Sequence, residues 1–191
     1  MVGLRQARPE DAAEIRAIYA PFVIETAVSF EYTVPPVDRF VSDIERTVKT
    51  YSFLVAEEAG HVVGFAKGTG FRTRDAYAWS AEVSVYVAAG FRGQGVGRRL
   101  VMGVLDELKE RGYVTAIAGV TLPNVASVAL FESLGFTPCG TFEKVGYKFE
   151  AWHDVGFWQR ALRGYPTHPR AVAAGTTSPP PPPGADSGGP G

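Results

Sequence analysis

The chain has 191 residues, 46% of them hydrophobic and 20% charged, as in an ordinary globular protein of one domain. Its 19 basic and 20 acidic residues give a formal net charge of −1, which argues against nucleic acid as a partner, because such binding needs an excess of positive charge. With a single cysteine and no histidines clustered with it, the chain is expected to form no internal disulfide and to hold no metal. No apolar run is long enough to span a membrane and no secretory signal is recognisable, so we predict a cytoplasmic protein without a membrane partner.

Strands and helices alternate along the chain. Helices are expected to open at Pro9 and at Pro35, because proline is favoured at a helix start. A stripe of apolar residues at helical spacing predicts a longer helix over 95–111. The order of these elements predicts an α/β (α+β) fold with a central mixed sheet flanked by helices. The predicted strands span 4–7, 52–57, 61–67, 79–87 and 114–120, with a short helix over 124–134 and two strands around Gly146 in the aromatic-rich stretch 136–162.

The composition changes near the C-terminus, where Pro179 to Pro183 form an unbroken run. Such a segment buries too little apolar surface to offset the entropy of ordering it. We predict one domain over residues 1–164 and a disordered tail over 165–191. A spacer is the favoured reading of the tail, and a proline-rich recognition ligand is the alternative.

A glycine-rich turn joins the strand 79–87 to the long helix. Gly93, Gly95 and Gly97 alternate with other residues where that helix begins. Free backbone N–H groups at a helix N-terminus attract anions, and glycine lets a pyrophosphate approach them closely. The turn therefore predicts a phosphate-bearing ligand, with a tight turn that binds nothing as the alternative.

The spacing in this turn excludes two common phosphate motifs. It lacks G-x-G-x-x-G of dinucleotide sites and the Gly-Lys-Ser/Thr of a P-loop, but it fits R/Q-x-x-G-x-G from Arg92 to Gly97. Together with N-x-x-S-x-x-L-F over 124–131, it resembles the GNAT superfamily of acetyl-CoA-dependent N-acetyltransferases over residues 4–162. The strings at 71–79, 81–87, 122–124 and 152–159 are similar to the phosphinothricin and methionine sulfoximine acetyltransferase subgroup.

The resemblance implies a mostly antiparallel, twisted sheet and acetyl-CoA as co-substrate. The strand backbone at 85–87 would pair with the pantetheine arm, and the N–H groups of 93–98 would hold the pyrophosphate. The positions that would contact the cofactor are Val85, Tyr86, Val87, Arg92, Gly93, Gln94, Gly95, Val96, Gly97, Arg98, Asn124, Phe131 and Ser133.

Glu82 stands where the subgroup has its catalytic base. An α-ammonium group must lose a proton before it can accept an acetyl group, and a carboxylate removes it well if burial raises the carboxyl pKa toward neutrality. Glu82 begins an apolar strand just ahead of the glycine-rich turn, which suits that role. A strand-end glutamate in solvent is the alternative.

The resemblance also implies where the acceptor binds. Arg72 and Arg74 alternate, so on an extended segment both side chains would point to one side and suit carboxylate, phosphinate or sulfoximine oxygens. A solvated loop with salt bridges is the alternative for the arginines, and a core position is the alternative for Phe30. The positions expected to contact the acceptor are Arg72, Arg74, Glu82, Val83, Ser84 and Phe30.

Phe131 departs from the family pattern, which often has tyrosine there, or histidine in this subgroup, as the acid for the departing thiolate. Phenylalanine cannot donate a proton, but a thiolate can leave unaided or take a proton from water. His153 is a candidate substitute, although a lone histidine in an aromatic strand is more often structural.

We therefore expect an N-acetyltransferase that acts on a small amino acid analogue such as phosphinothricin, methionine sulfoximine or methionine sulfone, by direct transfer in a ternary complex. The alternatives are a GNAT enzyme for another amine (an ordinary amino acid, a polyamine or a protein N-terminus) and a non-catalytic acetyl-CoA sensor. Because the subgroup is commonly dimeric, the resemblance also implies a homodimer, with the aromatic C-terminal strands as a candidate interface.

Overall fold

The structure is a computed structural model and describes residues 2–172 of the chain. In this range seven strands form one sheet in the spatial order β1-β2-β3-β4-β5-β7-β6. All neighbours are antiparallel except β4 and β5, which are parallel. The predicted fold class, a mixed and mostly antiparallel sheet flanked by helices, is confirmed. The strands are β1 Gly3–Gln6, β2 Phe53–Glu58, β3 His61–Gly70, β4 Ser80–Val87, β5 Thr115–Leu122, β6 Thr137–Lys148 and β7 Ala151–Ala161.

Helices cover both faces of the sheet. On one face the apolar stripe of α3 packs on the central strands, with Leu100, Val104 and Leu108 fully buried. On the other face a smaller core joins α1 and α2 to β2 and β3 around Ile15 and Ile44. Burial of these stripes supplies most of the free energy that holds the helices on the sheet. The α-helices of the described residues are α1 Ala12–Ile24, α2 Val37–Thr50, α3 Val96–Glu110 and α4 Val125–Ser133.

The parallel pair β4 and β5 separates part-way along its length. The two strands are paired only from Ser80 to Glu82 and from Thr115 to Ile117. β4 then continues to Val87 with β3 as its partner, and the edge that faces β5 has no strand partner there. The backbone groups of that edge are therefore open to pairing with an extended ligand.

The last two strands turn at a different place from the one predicted. The sequence suggested a turn around Gly146, but β6 runs on to Lys148 and the turn lies at Phe149 and Glu150, with φ of +49° and +59°. Gly146 is required for a close approach instead, because a Cβ there would lie 2.2 Å from the ring of Phe30. Gly146 is therefore needed for packing, and the turn itself is formed by Phe149 and Glu150, which are not glycines.

The end of the described chain returns to the body of the fold. The indole Nε1 of Trp79 donates a hydrogen bond of 2.7 Å to the carbonyl oxygen of Arg170. Val172 is 5% exposed and lies beside Gly112. The domain division at residue 164 stays a prediction, and the proline run lies outside the described residues. Over 2–172, no helix has the length and apolar character that crossing a bilayer requires, and the predicted location stays a prediction.

Candidate active site

The glycine-rich turn connects β4 to α3. Gly93 and Gly95 have φ of +72° and +78°, where residues with a Cβ are strained. A Cβ at either position would meet no atom within 4 Å, so the backbone conformation, rather than crowding, requires glycine. Gly95 is the N-cap of α3, and no side-chain hydrogen bond caps this end. The first N–H groups of α3 are therefore available to an anionic ligand.

A cleft of about 830 Å³ extends from this turn into the gap between the separated ends of β4 and β5. Val85 and Val87 of β4 line it, as do Thr121 and Leu122 of β5. Residues 26–28, which follow α1, form a further part of its wall. The cleft thus joins the gap between β4 and β5 to the uncapped N-terminus of α3.

Most of the positions assigned to acetyl-CoA from the sequence come together in this cleft, and their contacts with the cofactor stay predictions. Those that line the cleft are Val85, Val87, Arg92, Gly93, Gly95, Gly97, Arg98 and Asn124. Those that are not among its lining residues are Tyr86, Gln94, Val96, Phe131 and Ser133. Strand alternation explains why Tyr86 does not line the cleft. Its ring points to the sheet face that α1 and α2 cover, where it packs on Phe65 and Tyr19.

Two arginines of the cleft are held by backbone carbonyl groups. Nε of Arg92 donates to the carbonyl oxygen of Val87 over 3.0 Å, and its guanidinium carbon lies 4.7 Å from the centre of the Phe22 ring. Nη1 of Arg98 donates to Oγ of Ser133 over 2.8 Å and to the carbonyl oxygen of the same residue over 3.2 Å. Both positive charges are thus fixed in the wall, where they favour an anion. Ser133 orients one of them although it does not line the cleft.

Helix α4 contributes one polar and one apolar position that the sequence had singled out. Oδ1 of Asn124 accepts a hydrogen bond of 3.1 Å from the N–H of Ser127, so this side chain caps α4 at the edge of the cleft. Phe131 is 4% exposed and packs edge to face on Phe136, with 5.1 Å between ring centres. Its ring belongs to the core that α3 and α4 share with the sheet.

Glu82 is the last residue of β4 that pairs with β5, so it lies where the two strands begin to separate. The residue is half-buried, and within residues 2–172 no hydrogen bond or salt bridge reaches its carboxylate. Burial raises the pKa of the Glu82 carboxyl above its ordinary value, and the charge of Arg72 acts in the opposite direction without cancelling that effect. A carboxylate with a raised pKa and no partner is suited to accept a proton.

Gly119 of β5 makes room for this carboxylate. A Cβ at position 119 would lie 3.2 Å from Oε1 of Glu82 and 3.3 Å from the ring of Phe157. Both distances are tighter than ordinary van der Waals contact, so a larger residue would displace one of the two side chains. Sequence reasoning missed this glycine because it lies in an apolar strand without a motif.

The positions assigned to the acceptor lie in several environments. Arg72 and Arg74 lie in irregular backbone between β3 and a short 3-10 turn, Asp75–Tyr77, and both are exposed. Ser84 lines a second cavity of about 480 Å³ on the face that α1 and α2 cover. Val83 is 2% exposed, and the ring of Phe30 packs on the backbone of β6 at Gly146. Their contacts with an acceptor stay predictions.

Two parts of the cleft wall were not expected from the sequence. Residues 26–28 carry no motif that would have pointed to them. His153 was considered only as a proton donor, but it lines the cleft and its Nε2 lies 2.9 Å from the carbonyl oxygen of Lys148. Since a carbonyl oxygen only accepts, Nε2 carries the proton in this contact.

Residues 4–156 match the acetyltransferase (GNAT) domain family. The chain belongs to the GNAT family. This finding confirms the resemblance drawn from the turn and the segment after β5, and it confirms the expected class of enzyme, an acetyl-CoA-dependent N-acetyltransferase. Among the residues described, no group of three or more histidine, cysteine, aspartate or glutamate side chains could hold a metal ion.

Relatives named for an acetyltransferase activity align with more than four-fifths of this chain. A phosphinothricin N-acetyltransferase from Streptomyces viridochromogenes is 36% identical over 171 residues, which is 90% of this chain and 93% of that protein. An L-methionine sulfoximine/L-methionine sulfone acetyltransferase from Salmonella typhimurium is 36% identical over 160 residues, or 83% and 94% of the two chains. The structure of a phosphinothricin acetyltransferase from Sinorhizobium meliloti in complex with acetyl-CoA has a TM-score of 0.85 and 31% identity, covering 88% of this chain and 93% of that one.

Proposed function

We propose that this enzyme transfers the acetyl group of acetyl-CoA to the α-amine of a small amino acid analogue such as phosphinothricin, methionine sulfoximine or methionine sulfone. The names of the two relatives support this acceptor class, since each aligns with more than four-fifths of the chain. The observation that carries the chemistry is the carboxylate of Glu82, which has no hydrogen-bond partner among the described residues and a raised pKa. It lies at the last pair of β4 and β5 and is not itself among the residues that line the cleft.

The cleft fits the two ends of acetyl-CoA. The free edge of β4 over 83–87 offers backbone groups to the amides of the pantetheine arm. The uncapped N-terminus of α3, with Arg98 fixed beside it, offers N–H groups and positive charge to the pyrophosphate. Together they would bring the thioester toward Glu82, where the strands separate.

In the proposed reaction both substrates are bound together and no acetyl-enzyme forms. Glu82 takes one proton from the α-ammonium group, directly or through water. The freed amine nitrogen attacks the thioester carbon, a C–N bond forms and the C–S bond breaks. The second amine proton leaves to the thiolate or to solvent. A backbone N–H of 85–87 is the proposed donor to the oxyanion, and binding both substrates supplies proximity.

Arg72 and Arg74 are the proposed contacts for the acidic groups of the acceptor. Both are exposed on the loop before β4, and the charge of Arg72 already acts on Glu82. Guanidinium groups pair well with carboxylate and phosphinate oxygens. The same charges disfavour a polyamine.

A thiol-release assay with acetyl-CoA tests this proposal. The acceptors would be phosphinothricin, methionine sulfoximine, methionine sulfone, ordinary amino acids and a polyamine. We expect saturable turnover on the first three, and a KM for them at least about tenfold higher when Arg72 and Arg74 are both changed to glutamine, as loss of charge-assisted hydrogen bonds predicts. Turnover on ordinary amino acids alone would contradict the acceptor class, and acetyl-CoA binding without turnover would indicate a sensor.

We also propose that the enzyme is a homodimer that pairs through the hairpin of β6 and β7. β6 is an edge strand of the sheet, and this hairpin exposes 57% of Phe142, 54% of Phe149 and 62% of Trp152. A long edge strand with exposed aromatic residues favours association. Light scattering should give twice the chain mass, and Trp152→Glu should halve it; a monomeric wild type would contradict this proposal.

A further inference from the structure

Lys148, at the end of β6, is a buried lysine whose ammonium group has only backbone carbonyl groups as hydrogen-bond partners among the described residues. Its side chain is 3% exposed. Nζ donates to the carbonyl oxygens of Val23 over 2.6 Å, Thr26 over 2.9 Å and Ser29 over 2.6 Å. An ammonium group has three N–H donors, so all of them are used. Burying a lysine is costly, and it is tolerated here because these three oxygens replace its water.

The three carbonyl groups lie at the end of α1 and in the segment that follows it toward α2. Val23 lies in the last turn of α1, where carbonyl groups lack partners inside the helix and the helix dipole favours a positive charge. Thr26 and Ser29 follow in irregular backbone, and only their side chains are hydrogen-bonded to α1. The ammonium group therefore closes the end of α1 and fixes the path of the chain after it.

Two further contacts join this segment to the same end of β6. The hydroxyl of Tyr32 donates to the carbonyl oxygen of Tyr147, and the ring of Phe30 fills the space that a side chain at Gly146 would take. Between these attachments, Thr26 and residues 27–28 line the cleft. One wall of the cleft is thus attached to β6, in addition to the hydrogen bonds that join Thr26 and Ser29 to residues of α1.

We propose that Lys148 is a positioning residue, whose ammonium group fixes residues 23–29 and thereby preforms the wall that 26–28 give to the acetyl-CoA cleft. The inference rests on the proposed placement of acetyl-CoA in that cleft. Without the ammonium group the segment would have to be ordered when acetyl-CoA binds, and that ordering would reduce the affinity. Lys148 itself does not need to touch either substrate.

The test uses the full chain with Lys148→Met, and with Lys144→Met as a matched control on the same strand, where lysine is exposed. Hydrogen exchange of the enzyme without ligands reports on the segment, and calorimetry reports acetyl-CoA binding without an acceptor. We expect faster exchange confined to residues 23–31 and a dissociation constant for acetyl-CoA about tenfold higher in Lys148→Met, with no change in the control. Unchanged exchange in this segment, exchange that rises equally throughout the protein, or unchanged affinity would each overturn the proposal.

A chemical rescue keeps the test decisive if Lys148→Met does not fold. Lys148→Cys, made together with Cys139→Ser, can be aminoethylated in urea and refolded, which restores an ammonium group on a side chain of lysine length. The proposal requires the alkylated protein to regain wild-type exchange in 23–31 and wild-type affinity for acetyl-CoA. Equal affinity with and without the ammonium group would overturn it. If the wild type itself does not bind acetyl-CoA, the proposed function fails, and the exchange data alone decide whether Lys148 fixes the segment.

Discussion

Asp11 and Glu82 are two carboxylates withdrawn from water in different parts of the fold, and their pKa values move in opposite directions. Asp11 stands before α1 and accepts hydrogen bonds from Nη1 and Nη2 of Arg5, over 2.7 and 2.8 Å, and from the N–H of Arg8 over 2.8 Å. Burial raises the pKa of Asp11, but these partners outweigh burial and leave it below its ordinary value. Glu82 is also desolvated and has no such partners among residues 2–172, so its pKa is raised.

The comparison separates a structural carboxylate from a functional one. Burial acts on both groups in the same direction, so the partners decide the outcome. Asp11 stays charged and ties β1 to the start of α1, which gives stability. Glu82 lacks such stabilising partners among residues 2–172, so its lone pairs are free to accept a proton where β4 and β5 separate.

Removing the Glu82 carboxylate should have the largest effect on activity. Glu82→Gln keeps the shape of the side chain but cannot accept a proton, so kcat should fall by about a hundredfold to ten-thousandfold, the range for a lost general base. The affinity for acetyl-CoA measured by calorimetry should change little. Glu110→Gln, on the exposed end of α3, is the matched control. A kcat within a few-fold of wild type would mean that another group takes the proton.

Asp11→Asn should affect stability and leave kcat unchanged. The change breaks charge-assisted hydrogen bonds to Arg5, so the free energy of unfolding should fall by about 2 kcal/mol. Because the folded pKa of Asp11 is lower than the unfolded one, its contribution is complete above the unfolded pKa and is lost as pH falls through the folded pKa. Urea denaturation at neutral and acid pH measures both effects, and Glu10→Gln is the control. A lower kcat in stably folded Asp11→Asn would contradict the purely structural role assigned to Asp11.

Gly119→Ala should disturb Glu82 without removing it. The new methyl group would lie 3.2 Å from Oε1, so the carboxylate has to move by a few tenths of an ångström. We expect kcat/KM to fall by about tenfold, since small displacements of a catalytic group are costly, while the thermal midpoint changes little. Gly164→Ala, where a Cβ meets no atom within 4 Å, serves as control. Full activity in Gly119→Ala would show that the exact position of the carboxylate does not matter.

Beyond its effect on KM, Arg72→Gln should produce the smallest of these changes, a shift in the pH profile. The charge of Arg72 lowers the pKa of Glu82, so its removal lets that pKa rise and moves the acid limb of kcat/KM to higher pH. We expect a shift of less than about one pH unit, because exposed charges are screened by solvent. Arg163→Gln, also exposed, should leave the limb in place. A shift to lower pH would contradict the electrostatic assignment.

Part of the candidate site carries local patterns in the sequence. Gly93 and Gly95 are required by the backbone conformation of one turn, and Glu82 was assigned from the resemblance of its strand to the subgroup. Helix and strand periods similarly located α3 and β4. These features depend on neighbours in sequence, so they are visible without a structure.

The features that were not predicted depend on contacts between distant parts of the chain. Gly119 matters because of Glu82, and Lys148 contacts carbonyl groups more than a hundred residues away. The prediction of a turn at Gly146 was wrong for the same reason. Glycine is needed there because the ring of Phe30 packs against it, and not because the chain turns. No local pattern records such contacts.

The account depends most on the state of the Glu82 carboxyl, which can be measured directly. Carbon-13 NMR of the enzyme labelled at glutamate carboxyl carbons, with Glu82→Gln to assign the signal, would follow its titration. We predict a midpoint above the ordinary glutamate value of 4.5, whereas a midpoint at or below that value would contradict the claim that a desolvated, unpartnered carboxylate serves as the base.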